Sequence, residues 1–190
     1  NFFKIFLNSH FNKGTTIVGI SLMLQMIFPT IGPFIIQKSL AMSILTYGKL
    51  ACCMGFAYLI GNILNRILIE KYSALVIKKV GIIINIFLGA SQIILGFIYH
   101  GLNVYIFLIP LLFVNLFNGF INGNASALTI KYFKKDAGNG IAALLFSGSI
   151  IGFSGTVILS YFHFDNVIAI GSIIFIASLV QFKISKSFGN

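Results

Sequence analysis

Long uncharged runs alternate with short polar segments along this chain, and the runs are apolar on every side that a helix would present. The run from Val80 to Ile130 is long enough for two membrane crossings, and the polar segment Tyr99–Asn103 divides it. A helix that rises ~1.5 Å per residue needs ~20 apolar residues to cross a hydrocarbon core of ~30 Å. The pattern therefore predicts six spans, at residues 14–37, 43–65, 80–99, 104–130, 137–161 and 166–182.

The runs predict helices rather than strands, because each is much longer than the ~10 alternating residues of a barrel strand. The mean hydropathy is +1.01 and only 8% of the residues are charged, whereas soluble domains carry about 25%. No linker divides the chain, so we expect residues 1–190 to form one all-α, six-span transmembrane domain. The short connections after spans 3 and 5 predict that span 3 pairs with span 4, and span 5 with span 6, as antiparallel hairpins.

The net charge of +10 is distributed very unevenly over the connections between the spans. Lys38 and Lys49 lie in one set of connections, and the other eleven of the 13 basic residues lie in the alternate set. That set comprises Lys4, Lys13, Arg66, Lys71, Lys78, Lys79, Lys131, Lys134, Lys135, Lys183 and Lys186. Since basic loops stay on the cytoplasmic side, we predict a multi-pass protein of the inner membrane with both termini in the cytoplasm. The basic loops would meet the anionic headgroups of the lipid bilayer, so no nucleic-acid partner is predicted.

The spans differ in the size of their residues. Spans 3 and 6 are the most apolar and are expected to face lipid, although Asn85 and Gln92 interrupt span 3. Spans 2 and 5 hold many small residues, which allow helix backbones to approach closely in lipid, so we expect these two to be the packing spans. The small residues are Ala51, Cys52, Cys53, Gly55, Ala57 and Gly61 in span 2, and Gly148, Gly152 and Gly155 in span 5.

Spans 1 and 4 carry uncharged polar residues at helical spacing. Gln25 in span 1 follows Ser21 by four residues, and span 4 holds the stripe Asn115, Asn118, Asn122 and Ser126. An unpaired amide in hydrocarbon costs several kcal/mol, so these side chains must face water, a solute or another helix. We predict that Gln25 and the four residues of the span 4 stripe line a solute pathway at the interface of two repeats of three helices each. The alternative is that they only join helices, at roughly 0.6 kcal/mol per contact.

Prolines and a glycine occur together near the outer end of span 1. Pro29, Gly32 and Pro33 interrupt the backbone hydrogen-bond ladder that a regular helix requires. We predict a kink that serves in gating, and a static bend is the alternative.

Residues for catalysis or metal binding are scattered. The only acids lie outside the span centres, so a complete proton relay within these six helices is not expected. The histidines lie apart at the span ends, and the adjacent cysteines lack metal-ligand spacing. The sequence therefore predicts no enzyme, no cofactor and no metal site. The residues concerned are Glu70, Asp136, Asp165, His10, His100, His163, Cys52 and Cys53.

Two stretches carry a resemblance to a known family. The first is Gly61-Asn62-Ile63-Leu64-Asn65-Arg66, and the second is Gly123–Leu128 followed by Phe133 and Ala137–Leu144. The first is similar to the loop motif of the major facilitator superfamily, in which Gly and three further residues precede Asp and then Arg or Lys. The second resembles the segment that joins the tenth and eleventh helices of the bicyclomycin-resistance type of drug:proton antiporter. Asn65 replaces the acid of the motif, and Leu68 stands where its second glycine would be.

The resemblance implies that the chain is the C-terminal six-helix half of a 12-span transporter. In that family the first and fourth helices of each half line the cavity, the second and fifth contact the other half, and the third and sixth face lipid. The coupling acids commonly lie in the N-terminal half. The implied function is multidrug efflux of a small organic solute by proton antiport, with an N-terminal six-span half as partner. The alternatives are a homodimeric six-span permease and a non-transporting remnant or membrane scaffold from a split gene.

Overall fold

The computed structural model describes residues 5–99, 103–131, 133, 137–161 and 166–187, and within them it contains six long helices and no strand. Each helix is long and apolar enough to cross a membrane, so the protein is an all-α, multi-pass membrane protein. The predicted six-span fold is confirmed. The helices are α1 (Ser9–Pro33), α2 (Ile44–Leu68), α3 (Ala74–Tyr99), α4 (Val104–Ile130), α5 (Ala137–Ser160) and α6 (Val167–Lys186), and a π-helix (Phe34–Ser39) continues α1.

Some residues used in the prediction lie outside this described part. They are Lys4, His100, Lys134, Lys135, Asp136, His163 and Asp165. The helix ends agree with the predicted spans to within a few residues, except that α1 begins at Ser9 and α3 at Ala74. Lys78 and Lys79, which were expected in a loop, therefore belong to the first turns of α3, and Lys78 is fully buried.

The starts of four helices follow from polar residues in the connections. The side chains of Asn8, Ser43, Asn103 and Asn166 accept hydrogen bonds from backbone amides in the first turns of α1, α2, α4 and α6. Such N-caps satisfy donors that have no partner within the helix. The polar segments between the apolar runs thus decide where these four spans begin.

Helices α1 and α4 form the centre of the bundle. Half of the apolar window of each is buried, compared with 17% in α2 and 22% in α5. Helix α1 packs against α4, α5 and α6, helix α4 packs against α1, α2 and α3, and α3 packs against α6. Exchanging the first three helices with the last three maps the α1–α5 contact onto the α4–α2 contact. An inverted repeat of two three-helix units would have this pattern of contacts, since each unit holds an odd number of spans.

The predicted pairing of span 5 with span 6 is wrong, whereas span 3 does pack against span 4. In the described residues α5 lies on α1 and α6 lies on α3. The reason is that glycines bring these backbones together. A Cβ atom on Gly152 would lie 2.9 Å from Cβ of Leu22 in α1, and one on Gly89 would lie 2.6 Å from the backbone nitrogen of Phe175 in α6. The length of a connection does not show which helix faces carry such glycines, so it did not predict these pairings.

The prediction that spans 2 and 5 are the packing spans is wrong in part, because they are the least buried of the six. In α5, Gly148, Gly152 and Gly155 all face side chains of α1. In α2, however, Cys52, Cys53 and Gly55 are exposed on the outward face, and Gly48 and Gly55 would have nothing within 4 Å of an added Cβ atom. Only the C-terminal half of α2 packs backbone to backbone on α4, and there Gly61 touches the carbonyl oxygen of Leu116.

A break in the helix was predicted at Pro29–Pro33, but the irregular backbone lies further along the chain. Helix α1 contains both prolines and ends at Pro33, and the i→i−5 hydrogen bonds of the π-helix follow. The amide of Leu40 donates to the carbonyl of Ile35 at 2.9 Å, and Ala41 has a φ of 51°. The irregular backbone is therefore concentrated between Phe34 and Ala41, at the end of the bundle where α1 connects to α2.

Candidate functional site

Polar residues of α4 form a strip between its two neighbours α1 and α2. Asn115, Asn122 and Ser126 are separated by seven and four residues, so they share one side of the helix. Asn118, on one flank of this strip, bonds to α1, and Gly119, on the other flank, lies against the backbone of α2. Asn115 is 5% exposed, Asn122 is 8% exposed and Ser126 is half-buried. The strip therefore faces the side of the bundle that α3 and α6 do not cover.

Gln25 holds the corresponding place on α1. It is half-buried and lies four residues after Ser21, which faces α6, and three after Leu22, which packs on Gly152 of α5. Its side chain makes no hydrogen bond among the described residues. We call Gln25, Asn115, Asn122 and Ser126 the amide face.

The amide face has free hydrogen-bonding capacity. The Nδ2 atom of Asn115 donates to the carbonyl of Leu111 at 2.9 Å and contacts Sδ of Met54 in α2 at 3.8 Å. No donor among the described residues reaches the buried Oδ1 atom of Asn122. An uncharged surface with spare amide acceptors can bind hydroxyl, amide or ammonium groups of an organic solute.

Asn118 does not belong to this face. It is fully buried, its Nδ2 atom donates to the carbonyl of Ser21 at 3.4 Å, and its Oδ1 atom accepts from Nδ2 of Asn85 at 3.4 Å. The structure thus separates Asn118 from the other three residues of the predicted stripe. A small difference in angle around the axis of α4 decides whether a side chain faces the interior or the open side of the bundle. The spacing of residues in the sequence does not show this angle.

The sequence interpretation missed polar residues in the interior. Ser178, Gln181 and Ser185 of α6 are fully buried, although span 6 was expected to face lipid. Their spacing of three and four residues was the signal, because it places them on one side of the helix. The outward sides of α3 and α6 do expose large apolar residues such as Phe87 and Ile176.

An aromatic stack lies at the end of the bundle where α1 connects to α2, and α1, α2 and α4 meet there. The ring of Phe28 is 5.4 Å from that of Tyr47 and 6.1 Å from that of Phe107, at small interplanar angles. Gly32 lies under the stack, since a Cβ atom there would be 3.2 Å from Phe28 and 3.3 Å from Tyr47. The other two residues of the predicted gating kink are less enclosed, with Pro29 exposed and Pro33 half-buried.

The two stretches that carry the family resemblance meet at the other end. The Oδ1 atom of Asn65 in α2 accepts a hydrogen bond from Nδ2 of Asn124 in α4, at 2.6 Å. Asn65 therefore acts as a hydrogen-bond acceptor, as an aspartate could, but without a charge. Gly61 packs on α4 one turn earlier, whereas Arg66 is exposed.

Basic residues gather at this same end of the bundle. Of the basic residues that the structure describes, all but Lys38 and Lys49 lie there, because the helices alternate in direction. Lys13 of α1 donates to the carbonyl of Ser187 at 3.1 Å, just after the end of α6. A cation there also interacts favourably with the helix dipole of α6. In the described part of the chain no three His, Cys, Asp or Glu residues come together.

In comparisons with known proteins, no family model and no curated protein matches this sequence. The resemblance to the major facilitator superfamily therefore rests on the two stretches above.

Proposed function

We propose that this chain is the C-terminal half of a secondary transporter for a small organic solute, of the major facilitator type. The observation that supports this proposal most directly is the amide face, which lies within the membrane-spanning parts of the two central helices. In this proposal Gln25, Asn115, Asn122 and Ser126 contact the solute. Asn118 joins them only if its bonds to Ser21 and Asn85 open. Access alternates as this bundle rocks against a second one.

The need for a second bundle is supported by α2 and α5. They flank the amide face and bury the least surface within this chain. The outward face of α2 offers small residues, including Gly48, Cys52 and Gly55, where a backbone of another helix could approach closely. We propose an N-terminal six-span half as the partner on these two helices.

Proton coupling is assigned to the partner half. Glu70, the only acid among the described residues, is exposed just after α2 and lies outside the spans. An ion-coupled transporter usually needs an ionisable group inside the membrane. The resemblance to drug:proton antiporters then suggests efflux of drugs across the inner membrane, with both termini of this chain and its basic end in the cytoplasm.

The solute pathway can be tested by cysteine labelling in membranes that contain this chain and an N-terminal half. In a Cys52→Ser, Cys53→Ser background, Asn122→Cys is compared with Phe87→Cys, which lies on the apolar outward side of α3 and is 69% exposed. Thiols react as thiolates, which form only where water is present. We expect a water-soluble thiosulfonate to modify Asn122→Cys at least about tenfold faster, and a bound drug to slow that reaction.

The outcomes separate the rival functions. Equal rates at the two positions, with both halves in the membrane, would contradict a pathway at the amide face and favour a scaffold. Fast, drug-protected labelling of Asn122→Cys without any N-terminal half would favour a homodimeric permease.

A further inference from the structure

A second polar cluster lies inside the bundle, on the side of α1 and α4 that faces α3 and α6. It consists of Ser21, Asn85, Asn118, Ser178 and Gln181, each with 0% exposure. We call these five residues the interior node. The node is separate from the amide face and does not depend on the proposed transport function.

Hydrogen bonds join the node across four helices. The Nε2 atom of Gln181 donates to Oγ of Ser21 and to the carbonyl of Ile17, both at 2.9 Å. Asn118 donates to the carbonyl of Ser21, and Asn85 donates to Asn118. In these bonds the side-chain amides act as donors, and several oxygen atoms of the node accept no hydrogen bond.

Three oxygen atoms of the node have no partner. They are Oδ1 of Asn85, Oγ of Ser178 and Oε1 of Gln181, and none has a hydrogen bond to any described residue. A buried polar group without a partner costs about 1–3 kcal/mol, and such groups are rare in native proteins. The cost is larger in a bilayer, where the surrounding lipid offers no hydrogen bonds.

The register of α3 and α6 brings the residues that carry these oxygen atoms to one level of the bundle. Gly96 faces Ile168, with a distance of 3.3 Å between its added Cβ atom and the backbone nitrogen of Ile168, and Gly89 faces Phe175 in the same way at 2.6 Å. The two helices are antiparallel, because seven residues back in α3 correspond to seven residues forward in α6. Continuing this register places Asn85 level with the turn that holds Ser178 and Gln181.

We propose that the interior node binds an ordered water molecule between Asn85, Ser178 and Gln181. The water donates to the two amide oxygens and accepts from the hydroxyl of Ser178. It then makes about three hydrogen bonds, which is the usual number for a buried water. The water completes a polar connection from α3 and α6 to the two central helices.

A metal cation is the other occupant that oxygen atoms could hold. The three oxygens are uncharged, and the described spans contain no carboxylate that would offset the cost of burying a cation. The absence of charge on these oxygen atoms favours water over sodium at the node.

The first test uses the sign of a stability change. If Ser178 is bound to water, Ser178→Ala leaves that water a partner short and lowers the melting temperature of the full chain by about 2–4 °C. If its hydroxyl is unpaired, the same change removes a penalty and raises the melting temperature. Ser91→Ala is the control, because the Ser91 hydroxyl already donates to the carbonyl of Leu88 in its own helix at 2.8 Å. A melting temperature of Ser178→Ala at or above that of Ser91→Ala overturns the proposal.

The second test detects the occupant directly. In solid-state NMR of the full chain in bilayers, magnetisation from water should reach the side-chain amides of Asn85 and Gln181. It should not reach Ile36, which is fully buried among apolar residues at the end of the bundle where α1 connects to α2. The absence of transfer to both amides contradicts the proposal. A melting temperature that rises when sodium chloride replaces choline chloride, and loses this rise in Ser178→Ala, identifies a cation instead.

Discussion

The crossing of α2 and α4 offers a sharp test of the packing, because glycines on both helices bring the backbones into contact. A Cβ atom on Gly61 would overlap the carbonyl oxygen of Leu116, and one on Gly119 would lie 2.8 Å from the amide nitrogen of Asn62. Backbone atoms cannot move aside like a flexible side chain. Gly61→Ala must therefore push the two helices apart.

The expected cost follows from two opposing effects. Alanine favours a helix over glycine by about 1 kcal/mol. Overpacking a tight contact costs about 1–3 kcal/mol, and the clash with backbone places Gly61→Ala at the upper end of that range. Gly55→Ala is the matched control in the same helix, because nothing lies within 4 Å of its added Cβ atom. Since the helix-propensity gain is common to both variants, Gly61→Ala should be less stable than Gly55→Ala by about 3 kcal/mol.

The assay is thermal unfolding of the purified chain in detergent, followed by circular dichroism. A difference of about 3 kcal/mol corresponds to a melting temperature roughly 6–12 °C lower for Gly61→Ala than for Gly55→Ala. Gly55→Ala should melt at or above the unmodified protein. Equal melting temperatures for the two variants would refute the described α2–α4 contact.

Three further predictions concern single positions. Ala41→Gly should raise the melting temperature by about 2–4 °C, because glycine adopts a positive φ without the cost to alanine of about 1 kcal/mol; an unchanged or lower value would contradict the backbone at Ala41. Asn65→Asp should keep the bond to Asn124 and normal abundance in the membrane, whereas Asn65→Leu should reduce abundance on immunoblots; equal abundance of the two would show that the bond is unimportant. Gln25→Leu should change the range of drugs exported with normal abundance, and Asn118→Leu should lower abundance because it leaves buried partners unpaired; the reverse pattern would place Asn118 on the pathway.

The six spans could be predicted from the sequence because a bilayer imposes one length and forbids unpaired backbone groups. Charged residues are excluded from the hydrocarbon, so their positions mark the connections. The N-cap residues set where their helices begin. Asn8 caps α1, so this helix begins before the predicted residue 14. The prediction that Lys78 lies in a loop was wrong, because α3 begins before the apolar run and includes part of the basic segment.

The packing of the helices was less predictable. In lipid a helix can be apolar on every side, so hydrophobicity does not show which face meets another helix. The many small residues of spans 2 and 5 pointed to α2 and α5, yet Gly89 and Gly171 bring the backbones of α3 and α6 equally close. The polar residues Asn85 and Gln181 were better guides to the interior than the apolar residues around them.

The amide face was predicted in part. Helical spacing grouped Asn115, Asn118, Asn122 and Ser126 into one stripe, and the structure keeps only Asn115, Asn122 and Ser126 together on one side of α4. Spacing could not reveal that Asn118 turns towards α1 and α3, because this depends on which helices lie beside α4. The pairing of Asn65 with Asn124 was also not predicted, although both residues belong to the stretches that carry the family resemblance.

The central claim, that this chain is one half of a drug transporter, is tested most directly by dye efflux from cells. The chain is co-expressed with the N-terminal six-span half of a bicyclomycin-resistance-type antiporter, and export of ethidium is followed by fluorescence. We expect export that a protonophore abolishes and that Gln25→Leu combined with Asn115→Leu reduces. Absence of export, with both halves present and co-purifying from the membrane, would contradict the account.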